Sequence, residues 1–446
     1  MEYFISLFNS LQTLIAFFFA IGIVIFVHEF GHYLAARLCG LHVEAFSVGF
    51  GPSILNFIDK RGTKWRFSLI LLGGYVLIPG VGDEHINSSK TDRHADEALD
   101  ETAPHGTSPN DVSITSKIIA VAGGPLANFI LAIVLFTGMI THQGFIKEPI
   151  TIQSVKPLPE SFQNELLPND EIQAINGVSI ASLSDLYQYG IAADVNTLQI
   201  YTVRRDNQVY DVLGPYPFPP LIDNINLRSP ADIAGLKSGD VILSVNGESI
   251  QKATDLGPII AESNGNTMPF VIWRNGEILN VSLAAKLQDI PNANGEFEKR
   301  MIIGVSMGLS LELATYLPGP IDAIGIGLSQ TYSIIMGSIQ GLTKVVTAEI
   351  SSCNLQGPIG IAQMTGSAAQ QGWDSFIFLI AVLSAAIGFI NLLPIPILDG
   401  GHLVFYGYTK LTGQEINQTI KKSALIIGIA IISSIFVFTI YNDLTC

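Results

Sequence analysis

The sequence predicts a polytopic α-helical membrane protein with four transmembrane helices, a β-hairpin and a duplicated α+β domain. Three observations predict it. Of its 446 residues, 48% are hydrophobic and only 14% charged, with a mean hydropathy of +0.42. Four runs without Asp, Glu, Lys or Arg, at 11–27, 118–140, 375–398 and 424–441, approach the length that crosses about 30 Å of hydrocarbon. Between the second and third runs, residues 166–205 recur at 236–275.

The first span, 1–36, ends in His28-Glu29-Phe30-Gly31-His32. Two histidines four apart share a helical face and can ligate one Zn2+, and the glutamate beside the first can serve as general base on a water. The competing reading is a structural helix with incidental polar residues. Against it, two His and a Glu are costly in an apolar setting unless paired or liganded. The extended pattern with a third His six residues on is absent, because residues 33–38 contain none. A third ligand comes from elsewhere. No Lys or Arg precedes Arg37, so the basic start of a secretory signal is missing and the run reads as a retained span.

Residues 37–114 form a membrane-associated segment on the cytosolic side. In 64–69, Lys64, Arg66 and Ser68 alternate with Trp65, Phe67 and Leu69, the period of a strand. Two strands joined near Asp59 and Gly62 make a hairpin beside the metal motif. Its free edge can pair with an unwound substrate, which matters because a helical peptide bond is shielded from water. Residues 82–113 are polar. Their His85, His94 and His105 invite a metal reading, but the composition suits a solvated loop.

The second span is 115–141. Basic residues orient the chain: Arg37, Lys60, Arg61, Lys64, Arg66, Lys90, Arg93 and Lys117 follow the first run, and Lys410, Lys421 and Lys422 follow the third. The positive-inside rule puts those loops in the cytosol and both termini outside. The net charge of −15 argues against a nucleic-acid partner. Cys39, Cys353 and Cys446 suggest no disulfide framework.

The duplicated middle divides into 142–215 and 216–290. With an ungapped offset of 70, Asp170/Asp240, Asn176/Asn246, Gly177/Gly247, Asp185/Asp255 and Arg204/Arg274 coincide. Each copy reads as strand, Asn-Gly turn, strand, helix, strand. The stretch from Ser229 through Gly235 to Asp240 resembles the PDZ domains of HtrA-type periplasmic proteases, which take extended peptide ends by strand addition. Glu165 stands where the second copy has Gly235, which puts the first groove in question. A spacer or steric gate is the alternative role.

Residues 291–373 are expected to form an amphipathic-helix region at the outer interface. Ile321, Ile324, Leu328, Tyr332, Ile335, Ile339, Leu342 and Val346 recur at helical spacing. Were this segment a span, the third run would enter from the wrong side. That run, within 374–402, contains Asn391, Pro394 and Pro396 near its end and cannot be a regular helix throughout. Asp399 follows. A carboxylate at that depth needs a counter-charge, which Zn2+ supplies, and two His with one Asp leave a fourth position open for water. Alternatively Asp399 begins a solvated Asp-Gly-Gly turn, and His402 is a rival ligand. A cytosolic loop, 403–423, and a fourth span, 424–442, complete the chain.

Together, the HEFGH motif, Gly49-Phe50-Gly51-Pro52, Gly123-Gly124-Pro125-Leu126-Ala127-Asn128, the tandem domains and the stretch from Asn391 to Gly400 resemble the RseP-type (regulator of sigma-E) site-2 proteases over essentially the whole chain. The resemblance implies one catalytic Zn2+ on His28, His32 and Asp399, with Glu29 as catalytic base and Asn391 and Pro396 as substrate contacts. It implies a re-entrant β-hairpin near 43–78 and two PDZ domains. The activity it implies is intramembrane cleavage of single-span type II proteins, such as a pre-trimmed anti-sigma factor, and of remnant signal peptides, in a bacterial inner membrane with the PDZ domains periplasmic. Two rivals remain open: a non-enzymatic adaptor binding envelope proteins through its PDZ domains, and a zinc protease cutting soluble or juxtamembrane peptides.

Overall fold

The computed structural model describes residues 2–81, 112–159, 164–195, 198–226, 229–291, 297–347 and 355–445. They divide into two units. Ile140–Gly319 makes one, and Met1–Met139, Pro320–Ala348 and Leu355–Cys446 make the other. The polar stretch 82–111, with His85, His94 and His105, lies outside the described residues.

Helix α1 (Glu2–Leu38) is apolar all round, and its exposed Leu11, Leu14, Ile15 and Phe19 suit a lipid environment. It stops in a Schellman turn: Gly40 takes φ 74° and Leu41 N–H closes on Ala36 O at 2.9 Å. Strands β1 (Ala45–Ile58) and β2 (Lys64–Leu77) then pair across a turn at Asp59, Ile58 opposite Lys64 and Leu55 opposite Phe67, while Ala45 to Val48 pair both with Leu77 to Gly74 and with Lys64 to Phe67. Asp59 pins that turn, accepting from the N–H groups of Arg61 and Thr63 and from Trp65 Nε1. Burial holds that carboxyl up, but these bonds and the Arg37 charge outweigh it and leave it below the ordinary carboxylate range. The base of the hairpin packs on α1 through Phe46, Val48, Tyr33 and Ala36, whereas Ile54, Leu55, Phe57 and Ile58 are exposed. Helix α2 (Ile114–Gln143) follows.

The second unit opens with β3 (Phe145–Ile146) and contains two modules. Module 1 comprises β4 (Ile152–Val155), β5 (Glu171–Ile175), β6 (Val178–Ser179), α3 (Leu183–Ala192), β7 (Gln199–Arg205) and β8 (Gln208–Gly214). Module 2 comprises β9 (Ile222–Ile225), α4 (Pro230–Ile233), β10 (Val241–Val245), β11 (Glu248–Ser249), α5 (Leu256–Glu262), β12 (Thr267–Arg274) and β13 (Glu277–Ala284). The sheet orders correspond, β6-β5-β7-β8 and β11-β10-β12-β13. Each module has its own core, around Ile172, Leu186 and Tyr201 in one and Ile242, Leu256 and Phe270 in the other.

The structure corrects the repeat in two ways. The copies are not ungapped. Ile172 pairs with Val203 but Ile242 pairs with Ile272, so the offset falls from 70 to 69 after the helix. The counterpart of Arg274 is therefore Arg205, not Arg204. Arg274 grips the buried Asp240 through two bonds of 2.6 and 2.7 Å, and Arg205 grips the buried Asp170 through two of 2.7 Å. Arg204 instead meets the more exposed Glu171. Second, neither module ends where the repeat does. After a hairpin of β14 (Lys286–Pro291) and β15 (Phe297–Ile302), β16 (Val305–Met307) pairs with β9, β17 (Leu311–Leu313) with β4, and β18 (Thr315–Tyr316) with β3. Residues 291–373 are thus not one helical region. Their first part returns through both modules and adds a strand to each.

The first unit resumes with α6 (Pro320–Val346), α7 (Pro358–Gln371), α8 (Trp373–Asn391), α9 (Asp399–Thr412) and α10 (Gln418–Thr445). On α6 the small residues Ala323, Gly327 and Thr331 face inward, Gly327 lying against Ile133 and Thr137 of α2. Ile321, Ile324, Leu328 and Tyr332 face away and are exposed, an apolar stripe turned outward. Helix α7 was not expected. Its Gly366 packs on Thr13 of α1, and the Asp443 carboxylate of α10 accepts from the N–H groups of Gly357, Ile359 and Gly360 at its start. Helix α8 stops at Asn391, as the prolines require. Residues 399–412, assigned in part to a cytosolic loop, are helix α9. Among the described residues, Leu11–Leu38, Ile114–Gln143, Trp373–Asn391 and Gln418–Thr445 are long and apolar enough to cross a membrane, matching the four expected spans.

Candidate active site

His28 and His32 lie one turn apart on α1, so both imidazoles leave the same face. That face meets α2 at unusually close range. A Cβ on Gly31 would come 2.3 Å from Gly123 O, and one on Gly123 would come 2.5 Å from Gly31 O. Only hydrogens at both positions let the two backbones touch. The neighbouring Gly124 makes room for the imidazole itself, since a Cβ there would stand 2.3 Å from His32 Nε2.

The turn after α8 brings in Asp399, the first residue of α9. Its position needs the two glycines that follow. A Cβ on Gly400 would meet Leu393 O at 2.2 Å, and one on Gly401 would meet Ile395 O at 2.4 Å. The Asp399 Oδ2 then lies 3.2 Å from His28 Nε2 and 3.5 Å from His32 Nε2, and the two Nε2 atoms are 3.2 Å apart. Among the described residues these three side chains form a group able to hold a metal ion, with all ligand atoms within 4.8 Å of one another.

The spacing fits zinc. Ligands about 2.0–2.1 Å from a tetrahedral ion stand about 3.3 Å from each other. Asp399 Oδ2 is buried with only the two imidazole Nε2 atoms facing it, so the site offers an anionic oxygen that a cation in the group would satisfy. His402, the rival ligand, is not in this group.

Two further groups orient the imidazoles, and sequence reading had not assigned either. Ala120 O faces His32 Nδ1 at 2.9 Å. The fully buried Asn128 side chain faces His28 Nδ1 at 3.3 Å, while its Oδ1 has no partner. A half-turn of the Asn128 amide sets Oδ1 against an Nδ1–H and leaves Nε2 of His28 free for a metal, which satisfies both residues at once. Ser384 Oγ donates to Asn128 O at 2.8 Å and ties α2 to α8. A polar residue three after a mid-helix proline, inside an apolar run, was the available signal.

Glu29 is buried between α1 and the hairpin. Its Cγ lies so close to Gly74 of β2 that a Cβ there would stand 2.7 Å away. Asn391 ends α8, partly buried, and Pro396 lies in the following turn with its Cδ against Gly428 of α10. The three ligand candidates thus come together, Glu29 adjoins them on α1, and Asn391 and Pro396 stand on the turn that delivers Asp399.

A model of peptidase family M50 matches residues 16–435. A Mesorhizobium japonicum protein provisionally named a zinc metalloprotease is 31% identical over 438 residues, 97% of this chain and 99% of its own. The regulator of sigma E protease of Haemophilus influenzae is 29% identical over 464 residues, and the regulator of sigma-E protease RseP of Salmonella typhimurium 28% over 463; both comparisons cover 98% of this chain and 99% of theirs. Among solved structures, the PDZ domain of an SdrC-like protein from Listeria monocytogenes matches 22% of this chain and 93% of its own, at 15% identity and a TM-score of 0.17.

Proposed function

Because the chain belongs to peptidase family M50 and is a zinc metalloprotease, we propose that His28, His32 and Asp399 hold its zinc, that Glu29 is its general base, and that it cuts single-span membrane proteins within the bilayer. The observation that carries this reading is the meeting of two helix-borne histidines with an aspartate some 370 residues away, all within 4.8 Å at the ends of candidate spans.

Zinc bound there polarises a scissile carbonyl and lowers the pKa of water. The chain's own residues do the rest. Glu29 takes the proton of the attacking water and returns it to the leaving amine. Asn128 and Ala120 keep the imidazoles turned toward the ion. Asn391 and Pro396 hold the substrate backbone extended, and the edge of the β1–β2 hairpin pairs with it. The exposed Ile54, Leu55, Phe57 and Ile58 suit a hairpin that re-enters the membrane. The charge distribution supports a topology with residues 142–319 and both termini in the periplasm of a bacterial inner membrane and the metal site near its cytosolic face. The two modules are read as PDZ domains that filter or capture substrates. The family resemblance of the sequence suggests a pre-trimmed anti-sigma factor as the leading substrate and remnant signal peptides as a second; relatives named regulator of sigma E protease support a role in that control.

Glu29→Gln tests the assignment. It is expected to keep its zinc by elemental analysis and to cut a transmembrane reporter at least about a hundredfold more slowly. Uncleaved membrane fragments should accumulate in cells. A variant that still cuts at the parental rate would remove Glu29 as base.

A further inference from the structure

The segment joining the two modules is buried from Pro215 to Pro217 and half-buried at Phe218, although inter-domain linkers ordinarily run over the surface. It lies between two parts of module 1: helix α3 and the approach to strand β17. On the helix side, the Phe218 ring packs against Tyr187 with centroids 4.8 Å apart and planes tilted by 32°, and it fills the space over Gly190, where a Cβ would come 2.1 Å from the ring. The Tyr216 hydroxyl donates to Gly190 O. On the strand side, Ser310 N–H donates to Pro217 O at 2.9 Å and Ser310 Oγ to Tyr216 O at 3.0 Å. Phe218 also packs against the module 1 core beside Leu183 and Leu309.

A groove between a helix and a strand edge, with backbone N–H groups at one end, is where strand-adding domains take a peptide terminus. In module 1 a carbonyl of the chain itself holds the Ser310 donor, and an aromatic side chain of the chain itself fills the space beside it. Module 2 differs at the corresponding positions. Strand pairing makes Gly304 the counterpart of Ser310, and among the described residues nothing bonds its N–H. The counterpart of Tyr187 is Gly257, an exposed position where a Cβ would meet nothing within 4 Å, and the counterpart of Gly190 is the buried Ile260.

We propose that the inter-module linker is the resident ligand of module 1, with Phe218 as its anchor, so that module 2 alone receives peptide termini while the linker is seated. This rests on reading the modules as peptide-binding domains. A tethered occupant acts at an effective concentration of about 1 mM. A free peptide of about 10 μM intrinsic affinity is then weakened roughly a hundredfold at module 1. Phe218 O in turn accepts from Ala253 N–H, just before α5 of module 2, so release of the linker breaks a contact between the modules.

The test uses the full chain in detergent, made inactive by Glu29→Gln, and a fluorescein-labelled peptide ending Tyr-Pro-Phe with a free carboxylate. Gly257→Leu sets a bulky side chain at the module 2 position of Tyr187, to block module 2 and isolate module 1. In that background the peptide should not bind detectably. Adding Phe218→Ala should create binding at least tenfold tighter, and further adding Gly190→Leu should abolish it. Hydrogen exchange at the Ser310 amide supplies a second measurement: slow with the native linker, fast in Phe218→Ala, slow again with peptide. Binding by Gly257→Leu with its native linker would overturn the proposal and leave the reading of the modules standing. If neither linker state binds but the chain with Gly257 intact does, the proposal again falls alone. If no form binds, the reading of the modules falls with it.

Discussion

Replacing Gly124 by alanine is the sharpest probe of how the candidate site is held. The new Cβ would stand 2.3 Å from His32 Nε2, and ordinary contact begins near 3.4 Å, so about 1.1 Å must be found. The imidazole cannot simply swing away, because Nδ1 is held 2.9 Å from Ala120 O, one turn earlier on the same helix as Gly124. The displacement therefore falls on the distances from Nε2 to His28 and Asp399. Metal–ligand bonds tolerate about 0.2 Å, and a 1 Å misplacement of a reacting group costs about a hundredfold in rate. Gly124→Ala should weaken zinc at least tenfold in a competition titration with a chromogenic chelator. It should slow cleavage of a transmembrane reporter about a hundredfold even when excess zinc restores occupancy. Gly138→Ala on the same helix, where a Cβ meets nothing within 4 Å, is the control and should stay within about twofold of the parent chain. Overpacking alone would lower stability by about 1–3 kcal/mol and leave zinc affinity per folded molecule unchanged. If Gly124→Ala kept both zinc affinity and rate, the contact of α2 with His32 would not be what positions the ligand.

Asn128→Ala should weaken zinc about 10–100-fold by chelator competition, and Asn128→Asp, which keeps an acceptor for His28 Nδ1, should recover part of the loss. In the modules, Arg205→Met should lower the thermal stability of the purified chain by about 3 kcal/mol, because it strands the buried Asp170, while Arg204→Met should cost less than about 1 kcal/mol; equal losses would restore the ungapped repeat. The Asp170 carboxyl has a pH signature. Burial raises its pKa, but the bonds from Arg205 and from Leu167 N–H outweigh that and hold it below the ordinary carboxylate range. A depressed folded-state pKa contributes stability above the unfolded value of about 3.9 that is lost as pH falls toward the folded value. Acid unfolding of the parent chain should thus steepen below about pH 4, and Asp170→Asn should flatten it.

What the sequence made legible was local or topological. The i, i+4 histidines need only a helix, and α1 supplies it. Counting crossings put Asp399 on the same side as the two histidines, and in the structure its carboxylate lies 3.2 Å from His28. Asn391 as the end of α8 followed from two prolines three and five residues later. The errors share a different cause. The one-residue slip that makes Arg205 the partner of Asp170 lies between the helix and the third strand of the repeat, where two adjacent arginines let an ungapped alignment match the wrong one. Strands β16 and β17 are three residues each, and their partners lie about 80 and 160 residues earlier, so no local period announces them. Helix α7 is polar enough in composition to pass as a loop; it is held by a residue, Asp443, from the far end of the chain.

The same distinction explains why Gly31, Gly123, Gly124 and Asn128 were visible as a motif but not as a mechanism. In lipid, a helix gains little by hiding apolar surface from its neighbours, because the hydrocarbon is as apolar as they are. Helices that must hold a metal site to tenths of an ångström therefore rely on backbone contact and on the few hydrogen bonds that hydrocarbon makes worth keeping. Here α1 meets α2 through two reciprocal glycine–carbonyl contacts, and α2 meets α8 through Ser384 and Asn128. Asn128 is the common member: its backbone receives α8, which leads to Asp399, and its side chain faces His28 on α1. One residue thus registers the helix carrying two of the proposed ligands against the helix that leads to the third. A large side chain at any of these positions would part the helices or displace an imidazole, and so would spoil the site.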